Sequence, residues 1–172
     1  YKFEKKKNVE DINIARGLLQ KAIDLDDTLL SAKSQMGITY REIDEYDKAM
    51  EIYISTLKQA EELDNKIEIG NVLSEIGIIY LLKMDLDKAL DYTLRSLKIA
   101  EKINWKNGIG KNFWQLGGVY RSYGDYEKSL IYNLKALKIG EEISDNRAIE
   151  YALNDIGLLY QETGDYDKAL EY

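Results

Sequence analysis

A chain of 172 residues with 45% hydrophobic and 32% charged residues is too apolar for disorder, and long enough for one core or an array of smaller ones. Its formal charge of −7 argues against nucleic acid, and no apolar run approaches the ~20 residues of a membrane span. The absence of His and Cys removes catalytic triads, thiol nucleophiles, disulfides and ordinary zinc sites.

The chain carries no proline, which favours unbroken helices joined by short turns. Its 14 tyrosines against 2 phenylalanines suggest rings that pack by the face and keep a wet hydroxyl. No signal peptide is visible, and Tyr1 is not a methionine, so a natural start is expected upstream. The opening segment, 1–33, contains the one basic run, Lys5-Lys6-Lys7, which reads as a solvated helix end.

From residue 34 the sequence repeats at a fixed interval of 40: 34–73, 74–113, 114–153 and a shorter 154–172. Gly37, Gly77, Gly117 and Gly157 share one column, and Tyr40, Tyr80, Tyr120 and Tyr160 share the next. Ala49, Ala89, Ser129 and Ala169 follow, then Leu57, Leu97 and Leu137. Apolar residues within a unit step by three and four in two runs, Ile76 and Tyr80 and then Leu86, Leu90, Leu94 and Leu97, so each unit holds two helices.

The phrase GDYDKALEY (164–172) marks the turn between the two helices. Gly124 and Gly164 suit a left-handed helix end, and Asp125 and Asp165 suit the N-cap of the next helix. Asp44 and Met84 replace that glycine, so those two turns are expected to differ slightly. A second turn is predicted near Asp64-Asn65, Asn104-Trp105 and Asp145-Asn146.

A glycine inside a helix costs about 1 kcal/mol relative to alanine. Its return in every unit predicts a close approach of the first helix to the second, with the tyrosine three residues on filling the space beside the contact. Gly117→Ala is then expected to overpack the pair by ~1–3 kcal/mol, and Tyr120→Ala to open a cavity costing ~3–5 kcal/mol.

These columns resemble the tetratricopeptide repeat, W-x2-L-G-x2-Y followed by A-x3-F. Phe113-x2-Leu116-Gly117-x2-Tyr120 matches with Phe for Trp, Leu153-x2-Ile156-Gly157-x2-Tyr160 matches more loosely, and Ala49-x3-Tyr53 continues the pattern. Thr93 and Asn133 replace the aromatic elsewhere, and the closing proline is absent. The resemblance implies an all-α, right-handed solenoid of antiparallel helix pairs, one array over 1–172. Ala15 to Gly37 spans 22 residues, whereas Ala49 to Gly77 spans 28. The first unit is therefore of the ordinary length of about 34 residues, and later ones gain roughly a turn in each helix. This mixture is similar to repeat regions attached to bacterial cyclases and kinases, which implies a segment of a larger signalling or scaffold protein.

In that family the first helices line a concave groove. The corresponding positions are Ser34, Ile38 and Arg41; Ser74, Ile78 and Leu81; Trp114, Gly118 and Arg121; and Asn154, Leu158 and Gln161, with Lys111 joining the third set. Two readings of the third set stand. Trp114 anchors an apolar ligand side chain while Lys111 and Arg121 hold a ligand carboxylate, or Trp114 packs on a neighbouring helix and both cations are solvated. The lysine-and-asparagine clamp of chaperone-binding relatives is not reproduced at Ser34, Ile38, Ser74 and Ile78. An apolar or amphipathic helical ligand is therefore favoured.

Trp105 reads as a cover over the end of a helix seam, and Gly70, Gly108 and Gly110 as relief of crowding there. Gly108-x-Gly110 lacks the rest of a phosphate-binding loop. Carboxylates such as Glu61-Glu62 and Glu141-Glu142 recur with the repeat, as a solvated surface does, so no enzyme site and no cofactor is expected.

The expected function is non-catalytic protein–protein interaction in the cytoplasm, with a peptide or partner helix in the groove. The alternatives are a structural spacer or oligomerisation arm, or a regulatory sensor segment. Because 154–172 stops inside its second helix, the last first-helix is expected to be partly uncovered, which invites a homodimer through the solenoid ends.

Overall fold

The computed structural model describes residues 2–172, with side chains from Glu10 onward; Tyr1 and the side chains of Lys5, Lys6 and Lys7 lie outside the described residues. Among them are nine helices and no strand: α1 (Lys2–Leu25), α2 (Leu30–Arg41), α3 (Tyr46–Glu62), α4 (Lys66–Leu82), α5 (Leu86–Lys102), α6 (Lys106–Ser122), α7 (Tyr126–Glu142), α8 (Asn146–Glu162) and α9 (Tyr166–Glu171). The fold is the all-α solenoid expected from the repeat. α2 has 12 residues and α4, α6 and α8 have 17, so the longer repeat interval is taken up largely by the start of each first helix.

Each helix packs on its neighbours in sequence, and α2, α4, α6 and α8 also touch one another in turn. No such contact joins α3 to α5 or α5 to α7 among the described residues. The array therefore closes along the first helices and opens along the second ones, which makes the first helices its concave wall.

The glycine column explains how each pair closes. A Cβ at Gly37 would run into the ring of Tyr53 on α3. One at Gly77 would lie 2.8 Å from Thr93 Oγ1, and one at Gly117 only 2.6 Å from Asn133 Oδ1. The residue that meets the glycine is thus the one at the family's A-x3-F position, whatever its type. Gly157 differs: its nearest neighbour is the Ala169 carbonyl at 3.5 Å, an ordinary contact.

The recurring phrase makes one left-handed turn four times and caps the next helix with an aspartate in three of them; Glu45, the N-cap of the first, makes no side-chain cap bond. The residue before the N-cap is left-handed in every copy, with φ of 63° at Asp44, 59° at Met84, 78° at Gly124 and 82° at Gly164. The two non-glycine turns therefore do not differ, contrary to expectation. Met84 and Asp44 accept a conformation that costs an L-residue roughly 1–2 kcal/mol, because the helix pair beyond it fixes the chain path. Asp85, Asp125 and Asp165 accept from the backbone N–H of Lys88, Lys128 and Lys168, and each lysine Nζ returns to the same carboxylate at 2.7 Å. Those ion pairs hold the aspartates below, and the lysines above, their usual ranges.

The same Nζ atoms stand over Tyr80, Tyr120 and Tyr160 at 5.0, 5.1 and 5.1 Å. Tyr80 stacks on Tyr92, Tyr120 on Tyr132 and Tyr160 on Tyr172, at 5.4, 5.4 and 5.7 Å. This tyrosine column is half-buried, so the large cavity cost expected for Tyr120→Ala is too high. The fully buried ring is Tyr53, which packs with Ala49, Val72, Ile76 and Ile79.

Candidate peptide-binding groove

Four first helices present the predicted wall, and their side chains divide into three groups. Ile38, Ile78, Leu81, Gly118 and Leu158 are half-buried and apolar, and Asn154 and Gln161 are exposed. Ser34 and Ser74 offer no free hydroxyl to the groove. Both are buried: Ser34 Oγ donates to Glu68, and Ser74 Oγ accepts from Gln115 Nε2 at 2.6 Å. The helix phase places them at the contact between successive first helices rather than at its open side.

Arg41 and Lys111 converge on one carboxylate. Glu75, buried in α4, accepts from Lys111 Nζ of α6 through Oε1 at 2.7 Å, and its Oε2 faces Arg41 Nε of α2 at 3.3 Å as a charge contact without a formed hydrogen bond. Tyr53 Oη donates to its second oxygen at 3.4 Å, and burial followed by the charge of Glu75 pushes that phenol well above its usual range. Three helix pairs are thereby tied through one side chain. Arg121 is likewise paired, with Asp155 at 3.8 Å and Glu162 at 3.5 Å. Neither Lys111 nor Arg121 stands free for a ligand carboxylate, so that part of the expected slot is already filled from within the chain.

Trp114 stacks on Tyr151 of α8 at 5.7 Å, the packing alternative for this residue. Gly118 is not a bare floor, because Leu81 Cδ2 reaches to 3.5 Å of where its Cβ would stand. Beside them the carboxyl of Asp155 is raised by burial, against the lowering effect of Arg121, then Trp114, then Asn154. The Trp114 indole Nε1 is buried without a fully formed hydrogen bond.

A carboxyl whose folded pKa is raised costs stability once ionised. That cost is absent below the unfolded value near 3.8 and complete above the folded value, so stability falls as pH rises between them. Asp155→Asn is therefore expected to melt higher than the wild type at pH 7, with the gap closing toward pH 4. Thermal melts across that range check it, and a gap that widens in acid would contradict it.

Sequence reasoning missed the residues two before each glycine: Gln35, Glu75, Gln115 and Asp155. The signal was present. All four are hydrogen-bonding residues in one column; Gln35 is exposed, but Glu75 and Gln115 are buried and Asp155 is half-buried, and buried polar groups require partners. Tyr151, which pairs with Trp114, carried no such signal.

Trp105 behaves as the predicted cover, its ring lying over Gly70 and Gly108. Among the described residues no group of acidic side chains is arranged to hold a metal ion, and no helix is long and apolar enough to cross a membrane.

With this geometry in hand, the tetratricopeptide repeat family model matches residues 28–102 and 111–172. The chain belongs to the tetratricopeptide repeat family. No curated protein matches it. Among solved structures it is similar to a Rap protein complexed with competence and sporulation factor, at 20% identity and a TM-score of 0.86, over 99% of this chain and 48% of that one. It is similar to BtubC (BKLC) from P. vanneervenii at 19% identity and a TM-score of 0.71, over 98% and 71% of the two chains. A signal transduction ATPase with numerous domains and a tetratricopeptide repeat sensor, from Pyrococcus horikoshii, aligns at 24% identity and a TM-score of 0.71, over 96% and 28%. The chain thus spans about half of the Rap protein and about a quarter of the ATPase. These likenesses establish the fold. Membership of the tetratricopeptide repeat family supports a protein–protein interaction module.

Proposed function

We propose that this tetratricopeptide array is a non-catalytic, cytoplasmic binding module that takes a peptide or a partner helix along its concave wall. The observation that carries the reading is the continuity of that wall. Successive first helices touch, and half-buried Ile38, Ile78, Leu81 and Leu158 follow one another along it. An amphipathic segment would lay its apolar face on these side chains, with the Glu75 and Asp155 ion pairs fixing its polar edge. The Rap structure, of the same fold, is a complex with a competence and sporulation factor, which is in keeping with this.

A peptide library panned on the free protein tests the reading. Peptides enriched by the wild type should be lost by Ile78→Asp/Leu81→Asp and kept by Ile54→Asp/Leu94→Asp, which alters exposed positions of α3 and α5. Equal retention by both variants would remove the groove as the binding face.

A second reading rests on a hollow of about 820 Å³ beside α8 and α9, lined in part by Leu153, Leu158, Leu170 and Tyr172. A second copy seated there would make the homodimer expected from the solenoid end. Sedimentation of the wild type and Leu170→Asp, which alters the hollow and not the groove wall, separates the two.

A further inference from the structure

The seams between helix pairs are closed differently along the array. At the first, Leu30 is buried with Ala60, Ile69 and Leu73. One repeat on, Gly70 stands in the place of Leu30, and the indole of Trp105 covers it. That ring is 3.4 Å from where a Cβ would stand, with Ile99 and Ser96 at 3.7 and 3.9 Å. The ring also lies so close on Gly108 that any Cβ there would overlap it.

At the third seam Gly110 succeeds Gly70, but Asp145 stands where Trp105 would, and Ile139 Cγ2 closes on Gly110 instead, at 2.9 Å from where a Cβ would stand. What remains is a hollow of about 250 Å³ lined by Gly110, Ala136, Ile139, Gly140, Asp145 and Ala148. Each of these is one 40-residue repeat beyond Gly70, Ser96, Ile99, Ala100, Trp105 and Gly108. Gly140 replaces Ala100, and Ile149 and Ala148 close on its bare backbone, at 3.1 and 3.3 Å from where a Cβ would stand. An apolar cavity of about 150 Å³ already takes up a benzene ring.

We propose that this hollow receives one tryptophan side chain of the peptide partner, seated as the chain's own Trp105 is seated one repeat earlier. Trp114 and Tyr151, stacked on each other at 5.7 Å, also line the hollow and add aromatic surface to its wall. Asp145 uses Oδ1 to cap α8 through Arg147 and Ala148 N–H, while Oδ2 meets only Asn107 at 3.3 Å and retains capacity for an indole N–H. The source of the ring rests on the groove reading, because Lys111 and Trp114 belong both to this hollow and to the groove wall.

The test is an NMR titration of the whole chain with N-acetyl-tryptophanamide, with free indole and N-acetyl-leucinamide as parallel arms. Saturable shifts at the amides of Gly110, Ala136 and Gly140 are expected from the tryptophan amide at millimolar concentration, as suits a single side chain. Asp145→Trp/Ala148→Gly rebuilds the filled seam of the preceding repeat and should weaken binding at least tenfold. Gly110→Leu, which must displace Ile139 from 2.9 Å of its new Cβ, fills the hollow from α6 and should do the same if the double variant does not fold.

No shifts at those amides, or undiminished binding by a folded filled variant, would overturn the proposal. Free indole binding tenfold more tightly than the amide would overturn the peptide source. The two readings fail separately. Amide binding needs no groove, and peptide capture unchanged in Gly110→Leu would sink the hollow while leaving the groove reading intact.

Discussion

Tyr53→Ala is expected to destabilise the protein by about 3–5 kcal/mol, the range for removing a large buried ring. Tyr53 is fully buried in α3, its ring edge against the bare backbone of Gly37 and its sides against Val72, Ile76 and Ile79 of α4. Truncation removes ring contacts on two helices and leaves a cavity that the rigid helix backbones cannot close. Tyr53→Phe removes only the 3.4 Å hydrogen bond to Glu75 and should cost about 1 kcal/mol. Urea unfolding monitored by circular dichroism reads both. A Tyr53→Ala loss no larger than that of Tyr53→Phe would mean that the ring is not the packing element described.

The second large effect is expected at Glu75. Removing one partner of a fully buried ion pair costs about 3–5 kcal/mol, but Arg41 and Lys111 both reach water, which lowers the expectation for Glu75→Ala to roughly 2–3 kcal/mol. The variant leaves two cations side by side and the Tyr53 hydroxyl without its acceptor. Glu75→Gln, which keeps the volume and one acceptor, should lose less. Further loss from Lys111→Ala should be smaller in the Glu75→Ala background than alone, because the two residues act through one contact. Equal losses in both backgrounds would show that Glu75 is not the hub of the wall.

Much of this architecture was legible because it is periodic. The glycine, tyrosine and alanine columns gave the helix pairs, and the caps gave the turns. Two turns read as variants carry the ordinary conformation, because a left-handed residue is imposed at Asp44 and Met84 by the pair it joins and not by its own preference. The groove was legible in outline only. Helix phase separates the wall from the contact between first helices by a single residue step, and Ser34 and Ser74 spend their hydroxyls in that contact. Spacing also gives no sign of whether a cation is free. Lys111 and Arg121 are held by carboxylates two residues before a glycine, one repeat away, and such pairing emerges only when neighbouring helices are placed. The third seam was hidden for a similar reason. Asp145 reads as a good N-cap, and only beside Trp105 does it read as a missing ring.

The central claim, that each helix pair closes on an unsubstituted backbone, is tested most directly by a double-mutant cycle at Gly117 and Asn133, measured by urea unfolding. In the wild type, Gly117→Ala is expected to cost about 1–3 kcal/mol, because its Cβ would meet the Asn133 side chain at 2.6 Å. In an Asn133→Ala background that obstacle is gone, and the same change should stabilise by up to about 1 kcal/mol through helix propensity alone. An equal effect of Gly117→Ala in both backgrounds would contradict it.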